Sequence, residues 1–232
     1  MTQDTPQTAT PEAPRIAVRG EAHIEAEPEI ARIGITVAAR GTDRRTALED
    51  LTRRNTHVLD LIKGYGDAID KTATGALSIT PELTKRGRGE RIRTYHGRVH
   101  ITADLTDFTA LGELTTRLAD LDLTSVDGPW WSLRPTSPVH AQARQQAVRE
   151  AVQRAREYAE ALGTTLAALI EIADIGADNP MADRPMPPPG AMRMAAFAGA
   201  DAEPAPALDL EPQRQRVRAE VNARFTMHPP TL

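Results

Sequence analysis

Strict two-residue alternation restricts this chain's fold more than any other feature, and it is cleanest near the C-terminus. There Val217, Ala219, Val221, Ala223, Phe225 and Met227 alternate with Arg216, Arg218, Glu220, Asn222, Arg224 and Thr226. Successive side chains of a strand point to opposite faces, so such a segment has one apolar and one wet face. The pattern recurs where Ile16, Val18, Gly20, Ala22 and Ile24 share one parity, and again at Ala31, Ile33, Ile35 and Val37. It recurs once more at Tyr95, Gly97, Val99, Ile101 and Ala103, with His96, Arg98 and His100 opposite. Half-polar strands of this kind belong to antiparallel sheets covered on one side.

Helical spacing takes over between these strands. Thr42-Asp43 supplies an N-cap, and Leu48, Leu51, Asn55, Val58 and Ile62 follow until Gly64 and Gly66 stop the helix. Asp107 caps a second helix through Leu111, Leu114 and Leu118. Ser137-Pro138 opens the longest, with proline at the first helical position, and Leu162-Gly163 closes it. Weaker strand patterns occupy 69–83, 126–134 and 166–173. The expected fold is α+β: a mostly antiparallel sheet covered by three helices on one face. Its order is ββαββαβαβ, then a long loop and a final strand. The first two strands read as a hairpin turning at Glu27-Pro28-Glu29. Residues 1–14 read as a disordered N-terminal tail and 15–228 as a single domain. Residues 176–212, with eight of the 18 prolines, read as a flexible loop.

In the longest helix Ala143, Ala147, Ala151, Ala155 and Ala159 recur every four residues. They form a ridge of methyl groups that lets the helix axis approach its own sheet closely, a reading preferred over a dimer seam.

Composition excludes several function classes. Cysteine is absent, which removes disulfides, thiolate catalysis and zinc–thiolate sites. A net charge of −4 gives no overall field toward nucleic acid or anionic lipid. No stretch of about 18 apolar residues predicts a membrane-spanning helix. The opening residues, MTQDTPQTATPEAP, lack the apolar run of a signal peptide, so the expected place is the cytoplasm.

Several of these segments match a known pattern. Val18-Arg19-Gly20-Glu21-Ala22, followed by Pro28-Glu29-Ile30-Ala31, resembles the V-x-G-E-(G/A)…P-(D/E)-x-A opening of the SIMPL-domain family. Tyr95…Val99-His100-Ile101…Asp104-Leu105 is similar to its Y-x-x-x-V-x-V-x-x-D-L strand. Ala147…Ala151…Ala155-Arg156…Ala159…Leu162-Gly163 is similar to its alanine helix, and a Pro/Met-rich insert before a last alternating strand completes the likeness. The family includes bacterial periplasmic immunogenic proteins and a kinase-associated animal protein. The resemblance implies a shared fold, ring-like oligomers in some members and roles in stress tolerance or signalling. It implies no catalytic residues. This chain departs from the family in lacking an export signal, and in carrying Leu83 and basic residues where Y-x-Y commonly follows the proline at position 81.

No reactive constellation emerges from the rest. The six histidines show no ligand spacing, and His96 and His100 lie roughly 13 Å apart along one strand. Glu25, Glu27 and Glu29 read as a solvated turn rather than a cation cage. No nucleophile elbow or phosphate loop occurs. Lys85, Arg86, Arg88, Arg91 and Arg93 make a basic turn, read first as a solubilising hairpin tip and second as a dock for an acidic partner. Of the adjacent Trp130 and Trp131, register with Leu133 turns Trp131 inward and leaves Trp130 for a partner. Met181, Met186, Met192 and Met194 lie in the late loop, where a flexible loop is preferred over an apolar strap or a copper site.

The sequence therefore reads as a non-catalytic, self-associating scaffold or assembly protein, stress- or signalling-related by its resemblance, with no cofactor and no metal. The alternative is an adapter or small-ligand-binding module using the basic turn and the polar sheet face. Interface candidates are Trp130, Met186, Met192, Met194, Arg86, Arg88 and Arg91. Expected partners are further copies of the chain and a protein partner; nucleic acid is disfavoured.

Overall fold

A computed structural model describes residues 10–84, 91–174 and 208–231 of the chain. Among them follow β1 (Arg15–Ala26), β2 (Ile30–Gly41), α1 (Arg44–Lys63), β3 (Ile69–Thr84), β4 (Arg91–Leu105), α2 (Phe108–Ala119), β5 (Thr124–Ser132), α3 (Pro138–Ala161), β6 (Leu166–Asp174) and β7 (Gln215–Met227). This is the expected element order in an α+β fold with antiparallel sheets. The helix starts lie where the caps put them. Asp43 accepts from the Thr46 amide at 2.9 Å, Asp107 from those of Thr109 and Ala110 at 2.9 and 3.1 Å, and Ser137 from that of Val139 at 3.4 Å. Gly163, at φ +71°, supplies the left-handed residue that ends α3.

The strands do not gather into one sheet. They form a four-stranded sheet, β3-β4-β2-β5, and a three-stranded sheet, β1-β7-β6. Correspondingly the chain divides into two compact units, the larger holding β2 to β5 with α1, α2 and residues 208–215, the smaller holding β1, α3, β6 and most of β7. The expected hairpin of β1 with β2 is absent for the same reason. β2 is a central strand with both edges taken, Ile35 lying opposite Ile101 of β4 and Val126 of β5. A strand has only two edges, so β1 pairs elsewhere, with β7. Alternation decides which residues face inward but not which strand lies alongside.

In the larger unit, Ile33, Ile35 and Val37 of β2 meet Val99, Ile101 and Leu105 of β4 beneath Leu51, Val58 and Ile62 of α1 and Leu111, Leu114 and Leu118 of α2. Ala47 takes the inward place expected of Leu48, which is exposed, because α1 begins against Gly41. Leu208 and Leu210, expected within a flexible loop, are anchored: the Leu208 amide donates to the Thr116 hydroxyl of α2 at 3.2 Å, and Leu210 packs against the core.

In the smaller unit all five ridge alanines of α3 are buried, and Ala147, Ala151 and Ala155 pack with Val18 and Ala22 of β1 and Val221, Ala223 and Phe225 of β7. Gly20 makes this possible. A Cβ there would lie 2.0 Å from the Ala147 carbonyl oxygen and 2.6 Å from the Ala151 nitrogen. The ridge is therefore a helix-to-sheet seam, as read from the sequence. The opposite face of this sheet carries ion pairs: Arg19 with Glu220 at 3.6 Å, Arg216 with Glu25 at 2.9 Å, Arg224 with Glu171 at 2.9 Å, and Arg218 with Glu220. Met227 donates its amide to Pro14 at 3.0 Å, so residues 10–14, expected as tail, include one that caps the sheet.

Candidate functional site

The two faces of the larger sheet differ in kind. Inward-facing residues of β2 and β4 are apolar and buried beneath α1 and α2. Alternation then puts Arg32, Gly34, Thr36 and Arg40 of β2, and His96, Arg98, His100, Thr102 and Asp104 of β4, on the other face. No described element of this unit covers them.

Groups converge on that face around Gly34. A Cβ on Gly34 would lie 3.0 Å from Cε1 of His100 and 3.3 Å from Cζ3 and Cη2 of Trp130. The two rings thus lean over one residue from the strands on either side, β4 and β5. A glycine inside a strand often marks such a close approach. Trp130 is 51% exposed, whereas Trp131 turns inward onto Phe108 of α2 with ring centroids 4.8 Å apart and edge-on. The parity reading of the tryptophan pair holds.

One register step away, Arg32 stands between Trp130 and Asp104. Its Nε and Nη2 donate to Oδ1 and Oδ2 of Asp104 at 2.6 and 2.8 Å, a bidentate fork. The Asp104 side chain is 8% exposed and that of Arg32 55%, so a buried carboxylate is satisfied by a cation at the surface. Hydrogen bonding and charge from Asp104 raise the guanidinium pKa above its ordinary value. Nδ1 of His100 lies 3.3 Å from the Thr36 hydroxyl, and its Nε2 has no partner among the described residues.

The remaining candidates disperse. His96 lies 2.7 Å from Glu82, which also accepts from the Thr94 hydroxyl at 2.7 Å. His96 first, then Thr94, holds the Glu82 carboxyl below its ordinary range. The two histidines of this face thus serve different partners. Glu25 pairs with Arg216 at 2.9 Å, Glu27 with Arg214 at 2.7 Å, and Glu29 accepts from the Arg134 amide at 2.9 Å. These contacts agree with a solvated turn. Arg86, Arg88, Met186, Met192 and Met194 lie outside the described residues; Arg91 opens β4, and its side chain also lies outside them. Among the described residues no three His, Asp or Glu side chains gather as metal ligands, and no helix is long and apolar enough to cross a membrane.

The smaller unit offers a groove of about 400 Å³ lined by Val152, Arg156, Ala159, Leu166, Leu169 and Phe225. It lies beside β6, whose outer edge is paired by no described strand. Leu169 and Ile172 stand in register with Phe225 and Ala223, on the α3 side of the sheet. Because α3 lies against β1, they remain 55% and 46% exposed.

Sequence reasoning singled out Trp130 but missed the fork and the glycine that place two rings together. The signals were an aspartate at the end of a strand and a glycine inside one.

The family described as SIMPL, protein of unknown function (DUF541), matches residues 16–225 of the chain. The 26 kDa periplasmic immunogenic protein of Brucella melitensis is 26% identical over 179 residues, 72% of this chain and 68% of that protein. The protein of the same name in Brucella abortus matches to the same extent. The uncharacterized protein YggE of Edwardsiella ictaluri is 23% identical over 157 residues, 67% of this chain and 66% of that protein. The first two names put those proteins in the periplasm, which runs against the cytoplasmic expectation for this chain. The matched span also contains the features that hold the smaller unit together, Gly20 beneath α3 and the alanine ridge that meets it. The chain belongs to the SIMPL family, whose function is uncharacterised.

Proposed function

We propose that the chain is a non-catalytic assembly protein that binds further copies of itself along the edge of β6 that no described strand pairs. The observation that carries this reading is the pair Leu169 and Ile172, half exposed on the α3 side of the sheet at its β6 end, away from the β1 end against which α3 lies. Free sheet edges offer unpaired amides and carbonyls to another strand, and proteins usually blunt them with charge or proline. β6 reads Leu-Ala-Ala-Leu-Ile-Glu-Ile-Ala-Asp, with no lysine or proline and its first carboxylate at Glu171. Covering the exposed halves of two such side chains contributes roughly 1 kcal/mol each. Strand pairing and filling of the adjacent groove supply the rest of a stable interface.

The non-catalytic part of the reading is supported by where the titratable groups sit. The lowered carboxyl of Asp43 belongs to a helix cap, held first by the Thr46 amide, and that of Asp50 to an ion pair, held first by Arg54. Both follow from local structure and neither points to proton transfer. A stress- or signalling-related role comes from the family resemblance alone. The assembly reading holds in either compartment, because a cysteine-free chain forms no disulfide; cell fractionation of the native gene product decides between cytoplasm and periplasm.

The test is mass in solution by light scattering at about 10 μM, a concentration that reads affinities near −7 kcal/mol. The parent chain is expected well above its 25.2 kDa, and Leu169→Lys/Ile172→Lys is expected to fall toward it. A monomeric parent, or a double variant of unchanged mass, overturns the reading. The alternative, a small-ligand module on the polar sheet face, is favoured by the rings converging on Gly34.

A further inference from the structure

We propose that the strip of the larger sheet beside α1, over β3 and the start of β4, docks an acidic amphipathic helix of a partner protein. Strand pairing fixes its floor. Leu77 stands opposite Val99, Ile79 opposite Gly97 and Leu83 opposite Ile92, so these side chains share the α1 side of the sheet. α1 itself rests further in, where its Ala47 and Leu51 meet Gly41 of β2 and Gly97 of β4. Leu77 and Ile92 are left 59% and 52% exposed, and Leu83 and Leu48 of α1 are exposed beside them. The wall is a flank of α1. Arg54, on the opposite flank, donates to the Asp122 carbonyl ahead of β5 at 2.9 Å, which turns Leu48, Thr52, Asn55 and Leu59 toward β3. That row carries no charge, on a helix otherwise rich in it.

Floor and wall meet at an angle, and a second helix laid beside α1 completes the layer over this sheet. From Leu77 to Leu83 the floor runs about 20 Å, the length of a helix of about 13 residues. An added strand fits less well, because β3 carries Pro81 and an irregular register after Thr74, both of which blunt an edge. Charge selects the sign of the partner. Glu82 turns to the other face, onto Thr94 and His96, and Thr74, Leu77, Ile79, Pro81 and Leu83 on this face include no carboxylate. Arg44 lies over Tyr95 at the end of the ledge, 5.9 Å from the ring centroid, and makes no ion pair among the described residues. From Lys85 to Arg93 the sequence holds five basic residues against Glu90 alone, in a chain of net charge −4. This local excess favours an acidic occupant over a basic one. An anionic bilayer matches the charge, but its flat surface does not reach into the angle between helix and sheet. The ledge uses no residue of β6, so its failure and the failure of the assembly reading are separable.

The probe is a fluorescein-labelled peptide of about 14 residues, leucine at helical spacing and glutamate elsewhere, titrated with the full-length protein by anisotropy. Its controls are a peptide of the same composition in strict alternation, one with lysine in place of glutamate, and vesicles of phosphatidylglycerol. The acidic helical peptide is expected to bind with a Kd of about 100 μM, at least about tenfold tighter than either peptide control. Added salt is expected to weaken it. Leu77→Ser/Ile92→Ser, at two exposed positions, is expected to weaken binding at least about tenfold with an unchanged circular dichroism spectrum. Arg44→Gln is expected to weaken it several-fold and serves where the double variant does not fold, whereas Leu169→Lys/Ile172→Lys leaves it unchanged. The proposal is overturned if the acidic peptide does not bind at about 1 mM, if a control peptide binds equally, or if neither ledge variant weakens it. It is also overturned if the vesicles bind with the same dependence on Leu77 and Ile92, or if Leu77→Ser/Ile92→Ser lowers the mass of the parent in solution, which makes a second copy the occupant.

Discussion

Gly20→Ala probes the smaller unit at its narrowest point. The added Cβ would lie 2.0 Å from the Ala147 carbonyl oxygen, 2.6 Å from the Ala151 nitrogen and 2.7 Å from the Ala151 Cβ. Ordinary contact begins near 3.4 Å, so α3 must retreat by about 1.4 Å. A gap of ~0.5–1 Å already forfeits a quarter to a half of each dispersion contact, and the whole alanine ridge shares in it. Overpacking costs roughly 1–3 kcal/mol, and the spread-out loss puts this case near the top, about 3 kcal/mol. For a chain of this size that is a fall in Tm of roughly 6–12 °C, read by circular dichroism or calorimetry. Gly75→Ala is the control, because its Cβ would meet only His100, at 3.6–3.8 Å, and it is expected to be near neutral. The discriminating arm is Gly20→Ala/Ala151→Gly. Two of the three close atoms are backbone, so removing the Ala151 methyl must fail to restore stability. A single variant within about 2 °C of the parent, or one rescued by Ala151→Gly, refutes the reasoning.

Two further outcomes follow from the larger unit. Trp131→Ala removes a ring that packs on Phe108 and is expected to cost about 3 kcal/mol in urea unfolding, while Trp130→Ala costs under ~1 kcal/mol; equal losses contradict the assignment of faces. The Asp50 carboxyl is lowered by hydrogen bonds from Arg54 and then Arg53, so its contribution to stability is complete above the unfolded value near 3.9 and is lost as pH falls through the lower folded value. Asp50→Asn is therefore expected to flatten the acid loss of stability below about pH 4; an unchanged slope of urea midpoint against pH tells against the pair.

Much of this fold was legible because each element announces itself locally. Asp43, Asp107 and Ser137-Pro138 start helices, Gly163 ends one, and period-two runs define β1, β2, β4 and β7. Pairing was not legible. Nothing in Ile16 to Ala26 says that its neighbour is a strand some 200 residues later rather than the next one, because both partners present the same alternation. The candidate site was half legible for a similar reason. Trp130 could be read as exposed from its own strand, but Arg32, Gly34, His100 and Asp104 meet only once register across three strands is fixed.

The place of β7 has a consequence for biosynthesis. It is the last of the described strands to be made, yet it is the middle strand of its sheet, with β1, the first of them, on one side and β6 on the other. Residues 27–134 form a continuous stretch that a ribosome can release as a nearly finished body. β1, the first of the seven described strands to be made, must then wait for its neighbour β7, some 190 residues further along the chain. The smaller sheet therefore closes only once β7 has been made, and a truncation before Gln215 leaves β1 and β6 without the strand that joins them.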